Sequence, residues 1–430
     1  MRKAIHIAWV ALVSGGFLAA VVIGYFLAVN AFVVALYALT IYGAATILHF
    51  FLQVIFAQRS RSIWANEGSR YSVRMVVPTY REEPDLLRRC LASIAHQGAS
   101  VTTVVLSNDD ENDHYVEQIF EEVRSSPLVM DTEQVWLYRA HPHNGKRDAM
   151  YDGAHDAVED LVVFMDSDTI ISREDSVHRL IQPFHQGNVG CATGEVTVTN
   201  HQDNLLTRIT NLRYWLSFNL ERAAQSYFGV MSCVSGPFGA YRRVVLDSVL
   251  ETWRSQTFLG NKCTFGDDRH LTSLVLRAGY KSVYVPDATA ETKAPRSLRS
   301  WLKQQLRWSR SFYREYLLGV RSFNIQSAWL AYDLTYQGVF PFFVAANLAI
   351  IFYLGVAKNW KYFLVWLVVI GVFGLLRALY GLVVTKRIGF LAFTVYGYLF
   401  AIVLLPLKIL ACATVFRTGW EKKREAVPTP

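Results

Sequence analysis

Two aspartates, one residue apart, close an apolar run in the middle of the chain. Val162 to Met165 is followed directly by Asp166, Ser167 and Asp168. A short, continuous apolar run is typical of a strand that is buried on both faces of a parallel sheet. The carboxylates should then lie at the strand's carboxyl end, where open α/β sheets bind ligands. There they could share a hard cation and its phosphate ligands, although either one could equally cap the next element.

Polar residues follow three further predicted strands, which alternate with helical segments. Because such strands end at the same edge of a sheet, we expect a mostly parallel sheet that gathers these residues. Tyr80 could stack on a base, and Asp109 or Asp110 could accept a hydrogen bond from a uracil or a ribose. Gly145 would let the backbone approach a diphosphate. The predicted nucleoside-diphosphate site contains Tyr80, Glu82, Asp109, Asp110, Lys146, Arg147, Asp166 and Asp168.

Two later motifs add candidates on the same side of the predicted domain. The stretch SCVSGPFGAYRR (232–243) contains a tight loop around Gly236. The stretch FGDDRHLT (265–272) places Asp267 and Asp268 where a helix is predicted to begin. An aspartate at a helix start is most often a cap, but one that faces a cleft can also act as a general base.

The stretch 297–320 has the pattern of an amphipathic helix on a membrane surface. Its basic residues recur every three or four positions, so they share one helical face that we expect to be directed at lipid. These residues are Arg299, Lys303, Arg307, Arg310 and Arg314.

Apolar residues make up 52% of the 430 residues and are concentrated in long stretches. Each stretch is long enough to cross a bilayer. Basic residues flank the first two, so the positive-inside rule places the central domain in the cytosol of a multi-pass plasma-membrane protein. The stretches are 7–28, 31–56, 330–353, 361–384 and 388–416.

The net charge indicates which partners to expect, and the cysteines indicate the redox compartment. Much of the net charge of +8 lies beside the apolar stretches. Membrane lipids therefore explain the positive charge more simply than nucleic acid does, and we expect no nucleic-acid partner. The five scattered cysteines have neither metal-site spacing nor a disulfide framework, which agrees with a reducing compartment.

These patterns divide the chain into five predicted parts. The last apolar stretch contains Pro406 and Lys408, so we expect it to be interfacial or re-entrant, with four true spans and a cytosolic tail. The parts are two N-terminal transmembrane helices (1–58), a cytosolic α/β domain (70–295), an amphipathic interfacial helix (296–322), a C-terminal membrane region (326–416) and the tail (417–430).

The ordered motifs resemble those of a known enzyme family. PTYREEP, the NDD acids, GKRDAM, DSD, SGPFGAYRR, GDDRHLT and QQLRW are similar to motifs of the processive, membrane-embedded family-2 glycosyltransferases, which include hyaluronan, cellulose and chitin synthases. The stretches 211–229 and LLPLKILACATVFRTGW look most like those of hyaluronan synthases. The resemblance implies a Rossmann-like GT-A fold for the cytosolic domain, inserted between transmembrane helices that surround a channel for the polymer.

The resemblance also implies roles for individual residues. Asp268 would be the catalytic base that deprotonates the acceptor hydroxyl, with inversion at the donor's anomeric carbon. Asp168, with Asp166 near it, would hold Mg²⁺ or Mn²⁺. Arg307 would balance the charge of the leaving diphosphate. The other implied substrate contacts are Tyr80, Glu82, Asp109 or Asp110, Lys146 and Arg147 for the donor, Cys233, Gly236, Gln304 and Trp308 on the acceptor side, and Trp420 as a lid over the donor.

Two departures and two alternatives accompany this interpretation. The chain has Ser107-Asn108-Asp109-Asp110 where the family often has Asp-Gly, and Gly419-Trp420-Glu421-Lys422 where it commonly has Trp-Gly-Thr.

We expect a hyaluronan synthase that uses UDP-GlcNAc and UDP-GlcA to extend a polysaccharide. A chitin or chitin-oligosaccharide synthase that uses UDP-GlcNAc alone is the alternative within the class. A transporter or receptor with a degenerate nucleotide-binding domain is the alternative outside it.

Overall fold

The structure is a computed structural model that describes residues 31–60, 71–322 and 327–419. The first predicted transmembrane stretch, Trp420 and the rest of the tail lie outside the described residues.

An eight-stranded sheet forms the centre of the domain between α1 and the later apolar segments, in the order β3-β2-β1-β4-β7-β6-β10-β5. Strands β1, β2 and β4 are buried at every residue, as expected where helices cover both faces. The strands are β1 (Val73–Thr79), β2 (Thr103–Asn108), β3 (Val135–Ala140), β4 (Leu161–Phe164), β5 (Ile170–Ile171), β6 (Val189–Val198), β7 (Gly239–Arg242) and β10 (Lys281–Thr292), with β8 (Thr257–Phe258) and β9 (Asn261–Lys262) forming a separate hairpin.

The sheet is mixed, which corrects the expectation of a mostly parallel one. Strands β1 to β4 pair in parallel, and β6 pairs in parallel with β10. Strand β7 lies antiparallel between β4 and β6. The long helical connection after β6 brings the chain back into the sheet on the same side at which β6 leaves it, so β7 runs in the reverse direction. Gly239, at the start of β7, therefore pairs with Phe164 at the carboxyl end of β4 and with Thr193 in the middle of β6.

Helices before the membrane region surround this sheet. Helix α5 packs so closely on β1 that a Cβ at Gly153 would lie 2.3 Å from Val76 Cγ1, so this position requires glycine. The helices are α1 (Ala31–Ser60), α2 (Pro84–Ala95), α3 (His114–Arg124), α4 (Pro127–Met130), α5 (Lys146–Ala154), α6 (Ser176–Ile181), α7 (Leu205–Leu216), a π-helical turn (Ser217–Arg222), α8 (Ala223–Tyr227), α9 (Arg243–Arg254), α10 (Asp267–Arg277) and α11 (Leu298–Ser322).

Three segments after α11 are long and apolar enough to cross a membrane. They are α12 (Ala328–Ala357), α13 (Lys361–Thr385) and the segment Ile388–Ala413. The third segment is irregular: a 3₁₀ turn (Ile388–Phe393), α14 (Thr394–Leu399), a π-helical turn (Phe400–Leu404) and α15 (Leu405–Ala413) follow one another. Its proposed re-entrant or interfacial position stays a prediction.

The sequence pattern predicted that the basic face of α11 is directed at lipid, but two of its arginines contact protein. Arg314 is fully buried and donates a hydrogen bond to the Phe265 carbonyl oxygen at 2.6 Å. Arg310 donates to Thr414 Oγ1 at 3.0 Å. The reason is that α11 packs between α10 and α15, so part of its basic face meets protein.

Candidate active site

The two aspartates of the DSD motif lie at the carboxyl end of β4. Asp166 forms an ion pair with Lys146, the first residue of α5. Asp168 accepts a hydrogen bond from Thr292 Oγ1, at the end of β10, at 3.3 Å. The ends of β4 and β10 and the start of α5 therefore meet at these carboxylates, the edge at which open sheets bind ligands.

Gly236 lies directly beside the Lys146–Asp166 pair. A Cβ at Gly236 would be 3.8 Å from Asp166 Oδ2 and 3.8 Å from Lys146 Nζ. The pairing of Gly239 with Phe164 brings this loop to the end of β4. The glycine-rich loop thus lies beside the Lys146–Asp166 pair.

The loop after β1 contributes an aromatic ring and a carboxylate. The Tyr80 ring stacks on the His143 ring, with a centroid separation of 4.2 Å and an interplanar angle of 22°. Glu82 accepts a hydrogen bond from Ser167 Oγ at 2.9 Å. His143 was not among the predicted residues, although it precedes the Gly-Lys-Arg motif by only two positions.

The two acids after β2 hold neighbouring loops of the protein. Asp109 is buried and accepts hydrogen bonds from the backbone amides of Asn144 and Gly145, at 2.8 and 2.9 Å. Asp110 pairs with Arg81 at 2.9 Å. Asp109 therefore fixes the loop that leads into α5, and Asp110 fixes the loop after β1.

Lys146 and Arg147 are adjacent in sequence but point to different surroundings. Arg147 is buried and donates to Asp267 Oδ1 at 2.7 Å, to the Trp253 carbonyl oxygen at 3.0 Å and to Gln256 Oε1 at 2.9 Å. Burial raises the pKa of Asp267, but the charges of Arg147 and Lys146 outweigh it and hold this pKa below its usual value. A direct contact between Arg147 and a diphosphate does not fit this arrangement, because the guanidinium is buried among protein acceptors.

The two aspartates at the start of α10 also diverge. Gly266, with a φ of 84°, is the N-cap residue, so neither aspartate caps the helix. Asp268 is half-buried, and one of its oxygens accepts from the Arg269 amide at 2.8 Å. The other oxygen lies 3.6 Å from Cys233 Sγ. Asp268 thus faces the Cys233 loop, whereas Asp267 faces the interior.

Cys233 lies next to Asp268 as a thiol. Burial raises the pKa of the Cys233 thiol to about 12, and the Asp268 charge adds to the effect, while Arg269 and Arg222 oppose it. A thiol with such a pKa remains protonated at neutral pH and is not a nucleophile. Cys233 therefore lines the site.

The QQLRW residues lie on α11, and one of them approaches an aromatic residue of α7. The exposed Trp308 ring lies 6.3 Å from the Tyr214 ring. Burial raises the pKa of Tyr214, and the charge of Asp168 adds to this effect. Gln304 Oε1 is buried and accepts no hydrogen bond from the described residues. Tyr214 was missed because its sequence neighbourhood was noted only for its overall resemblance.

Two arginines near Asp268 form no ion pair within the described part of the chain. Arg222 donates to the Cys233 carbonyl oxygen at 3.3 Å and to Ser217 Oγ at 2.5 Å, both neutral acceptors. Arg269 directly follows Asp268, and its guanidinium lies 5.4 Å from the Phe312 ring centroid. Positive charge therefore accumulates around Cys233 and Asp268, which sequence inspection did not reveal.

Two further arginines, one in the domain that contains the sheet and one on α13, pair with the same carboxylate. Arg213 contacts Glu221 at 2.9 Å, and Arg377 contacts its other oxygen at 3.3 Å. Burial raises the pKa of Glu221, but these two charges outweigh it and lower the pKa to about 2. Glu221 thus links the π-helical turn to α13.

The donor set fits a divalent cation that also binds phosphate. Within the described ranges, no group of three or more His, Cys, Asp or Glu side chains is arranged so that it could hold a metal ion. Asp166 and Asp168 supply two hard carboxylate ligands, which is the number that Mg²⁺ commonly takes when phosphate oxygens and water complete its shell.

Comparison with known proteins places this geometry in a family. Residues 70–311 match the family described as glycosyltransferase like family 2. Human hyaluronan synthase 3 is 33% identical over 95% of this chain and 81% of its own length. Hyaluronan synthase 2 of Heterocephalus glaber is 32% identical over 88% of this chain and 75% of its own length.

A solved structure supports the fold. The mannosyltransferase from Pyrobaculum calidifontis, in complex with GDP-Man and Mn²⁺, has a TM-score of 0.60 at 17% identity, covering 90% of this chain and all of that one. The sheet is accordingly of the GT-A type, as predicted. The chain belongs to the family-2 glycosyltransferases, as a membrane enzyme related to the hyaluronan synthases.

Proposed function

We propose that this protein is a processive, inverting glycosyltransferase that makes hyaluronan from UDP-GlcNAc and UDP-GlcA. It would export the polysaccharide through a channel formed by its own membrane helices, with the catalytic domain in the cytosol at the plasma membrane. The observation that carries the proposal is that Asp166, Asp168 and Lys146 meet at one edge of the sheet. The loop that contains Cys233 and Gly236 contacts Asp268 through Cys233 and lies beside the Lys146–Asp166 pair at Gly236. The names of the relatives supply the donor class.

On the donor side, the protein's own groups suit a nucleoside diphosphate. Tyr80 offers a ring for the base, and Lys146 offers a cation for the diphosphate. Asp168 and Asp166 would hold a divalent cation, as the Mn²⁺ of the mannosyltransferase suggests, and it would neutralise charge on the leaving group. Arg307 of α11 is a second cation for the same charge. Arg147 is assigned a supporting role beneath Lys146, because its contacts are all with protein.

On the acceptor side, Asp268 is assigned the role of base. Its carboxylate would take the proton from the acceptor hydroxyl as that oxygen attacks the donor's anomeric carbon, and the UDP oxygen would leave. A single displacement of this kind inverts the anomeric carbon. Trp308, exposed and close to Tyr214, offers a surface on which a terminal sugar can stack.

The positive charge around Asp268 favours hyaluronan over chitin. Arg222 and Arg269 make no ion pair with any carboxylate in the described ranges. Buried or half-buried cations without carboxylate partners are unfavourable unless an anion joins them. A uronate carboxylate supplies such an anion, whereas a polymer of GlcNAc alone is neutral.

The test uses the purified full-length chain in detergent with Mg²⁺ or Mn²⁺. UDP-GlcNAc alone, UDP-GlcA alone and both together are supplied, and UDP release and high-mass polymer are followed. The proposal expects polymer only with both sugars, and expects hyaluronidase to digest it. Polymer from UDP-GlcNAc alone would instead indicate a chitin synthase. Absence of turnover in all three arms would contradict the assigned donor chemistry.

A further inference from the structure

A buried polar chain lies behind the proposed catalytic base. Glu315 of α11 accepts a hydrogen bond from Gln256 Nε2 at 2.6 Å, and Gln256 Oε1 accepts one from Arg147 at 2.9 Å. Arg147 in turn pairs with Asp267, the neighbour of Asp268, at 2.7 Å. Glu315, Gln256 and Arg147 are all buried, so solvent does not compete for the hydrogen bonds between them.

The Glu315 carboxylate also contacts α10 directly. His270 Nδ1 lies 3.0 Å from Glu315 Oε1, the oxygen that also accepts from Gln256. Glu315 Oε2 is buried and accepts no hydrogen bond from the described residues. Glu315 Oε1 is therefore linked to α10 twice, directly through His270 and indirectly through Gln256 and Arg147.

Helix α11 also holds the residues just before Asp267. Arg314 donates to the Phe265 carbonyl oxygen at 2.6 Å. A Cβ at Gly266, where φ is 84°, would lie 2.2 Å from Ser311 Oγ, so the Gly266 backbone packs directly against the Ser311 side chain. The first turn of α10 is thus held on both sides of Asp268, at residue 265 and at residue 270.

We propose that Glu315 is a positioning residue that sets the orientation of Asp268 relative to Lys146 and the donor diphosphate. Lys146 and Asp268 face the site. The residues adjacent to them in the sequence, Arg147 and Asp267, face the interior. The inner pair, Arg147 and Asp267, joins the two halves of the site, and Glu315 holds this pair and His270 on the helix that carries QQLRW. The inference rests on the proposed role of Asp268 as the base.

The experiment compares two substitutions at Glu315 in the full-length enzyme. Glu315→Ala removes the shared acceptor, and kcat should fall ~10- to 100-fold, because small misplacements of a catalytic group cost rates of this order. KM for both UDP-sugars and the affinity for UDP should stay near wild type, since no donor contact is changed. Glu315→Gln keeps one side-chain oxygen for both donors, so it should restore most of kcat.

A matched control separates positioning from stability. Glu159 is as buried as Glu315 and pairs with Arg74 at the opposite edge of the sheet. Glu159→Ala should lower the melting temperature without lowering kcat per folded enzyme. Equal kcat losses in Glu159→Ala and Glu315→Ala, or an unchanged kcat in Glu315→Ala, would overturn the proposal.

A second pair of variants applies if Glu315→Ala does not fold. His270→Asn can present its amide nitrogen where Nδ1 lies, whereas His270→Ala cannot. Retained kcat in the Asn variant with a loss in the Ala variant supports the proposal, and equal activities contradict it. An error in the proposed function can be distinguished from an error in the role of Glu315. If Asp268 is not the base, Asp268→Asn retains polymer synthesis whatever the result at Glu315.

Discussion

Arg147 Nε lies 2.7 Å from Asp267 Oδ1, and this largely buried ion pair joins the helix that begins with Lys146 to the helix that carries Asp268. The pair connects residues 120 positions apart in the chain. It therefore ties the proposed donor side of the site to the proposed acceptor side, and neither of its members needs to touch substrate.

Removing one member of this pair should destabilise the domain strongly. Arg147→Leu leaves Asp267, whose side chain is only 12% exposed, without its partner. Loss of one partner of a buried ion pair typically costs about 3–5 kcal/mol. Thermal unfolding in detergent measures the loss. Arg124→Leu is the control, because the half-exposed Arg124–Glu121 pair is worth only ~0–1 kcal/mol. Equal melting temperatures for the two variants would contradict the importance assigned to the buried pair.

Asp268→Asn should abolish polymer formation while leaving UDP binding largely intact. The amide cannot accept the acceptor proton, and loss of a general base typically lowers the rate ~10²- to 10⁴-fold. Polymer assays and UDP titration of the same preparation measure the two effects. Asp247→Asn, at an exposed ion pair of α9, is the control substitution. Loss of both properties, or of neither, would count against the base assignment.

Much of this site was predictable because its signals are local. The apolar run before Asp166 predicts a buried strand, and Asp268 stands at a recognisable helix start, so both could be placed before the fold was known. The same reasoning could not separate Lys146 from Arg147. Consecutive helical residues point about 100° apart, and which of them faces inward depends on packing against α9 and α10.

Other parts of the site depend on contacts between distant segments. The antiparallel direction of β7 follows from the path of the 199–238 connection, which no local pattern encodes. His143, Tyr214 and Arg222 belong to the site only because of what packs beside them. Their residue types alone carry no spacing signal, so sequence inspection passed over them.

Arg222→Gln should impair use of the charged sugar more than use of the neutral one. A hydrogen bond to a charged group contributes about 1.5–3 kcal/mol, so kcat/KM for UDP-GlcA should fall ~10- to 100-fold. Steady-state kinetics with each donor varied in turn measure the selectivity. Arg124→Gln, on the exposed face of α3, is the control. Equal losses for both donors would contradict a uronate-binding role for Arg222.

Acid should weaken the ion pairs through which Glu221 links the domain that contains the sheet to α13. The folded-state pKa of Glu221, about 2, lies below its ordinary value of 4.5, so Glu221 stabilises the fold fully above pH ~4.5 and loses this contribution as the pH falls toward 2. Melting temperature against pH, for wild type and Glu221→Gln, measures the effect. The variant should be less stable at pH 7, and the difference should shrink in the acid range. A constant difference would contradict the shifted pKa.

A large side chain at position 236 should block the donor site without unfolding the protein. A Cβ there makes only ordinary contacts with Asp166 and Lys146, at 3.8 Å, so Gly236→Ala should fold and retain UDP binding. Gly236→Leu would extend further into the space beside that ion pair and should lower UDP affinity by at least about tenfold, which is about 1.4 kcal/mol. Gly187→Leu is the control, because nothing lies within 4 Å of a Cβ at that position. UDP titration monitored by calorimetry measures all three variants, and unchanged affinity in Gly236→Leu would place the diphosphate elsewhere.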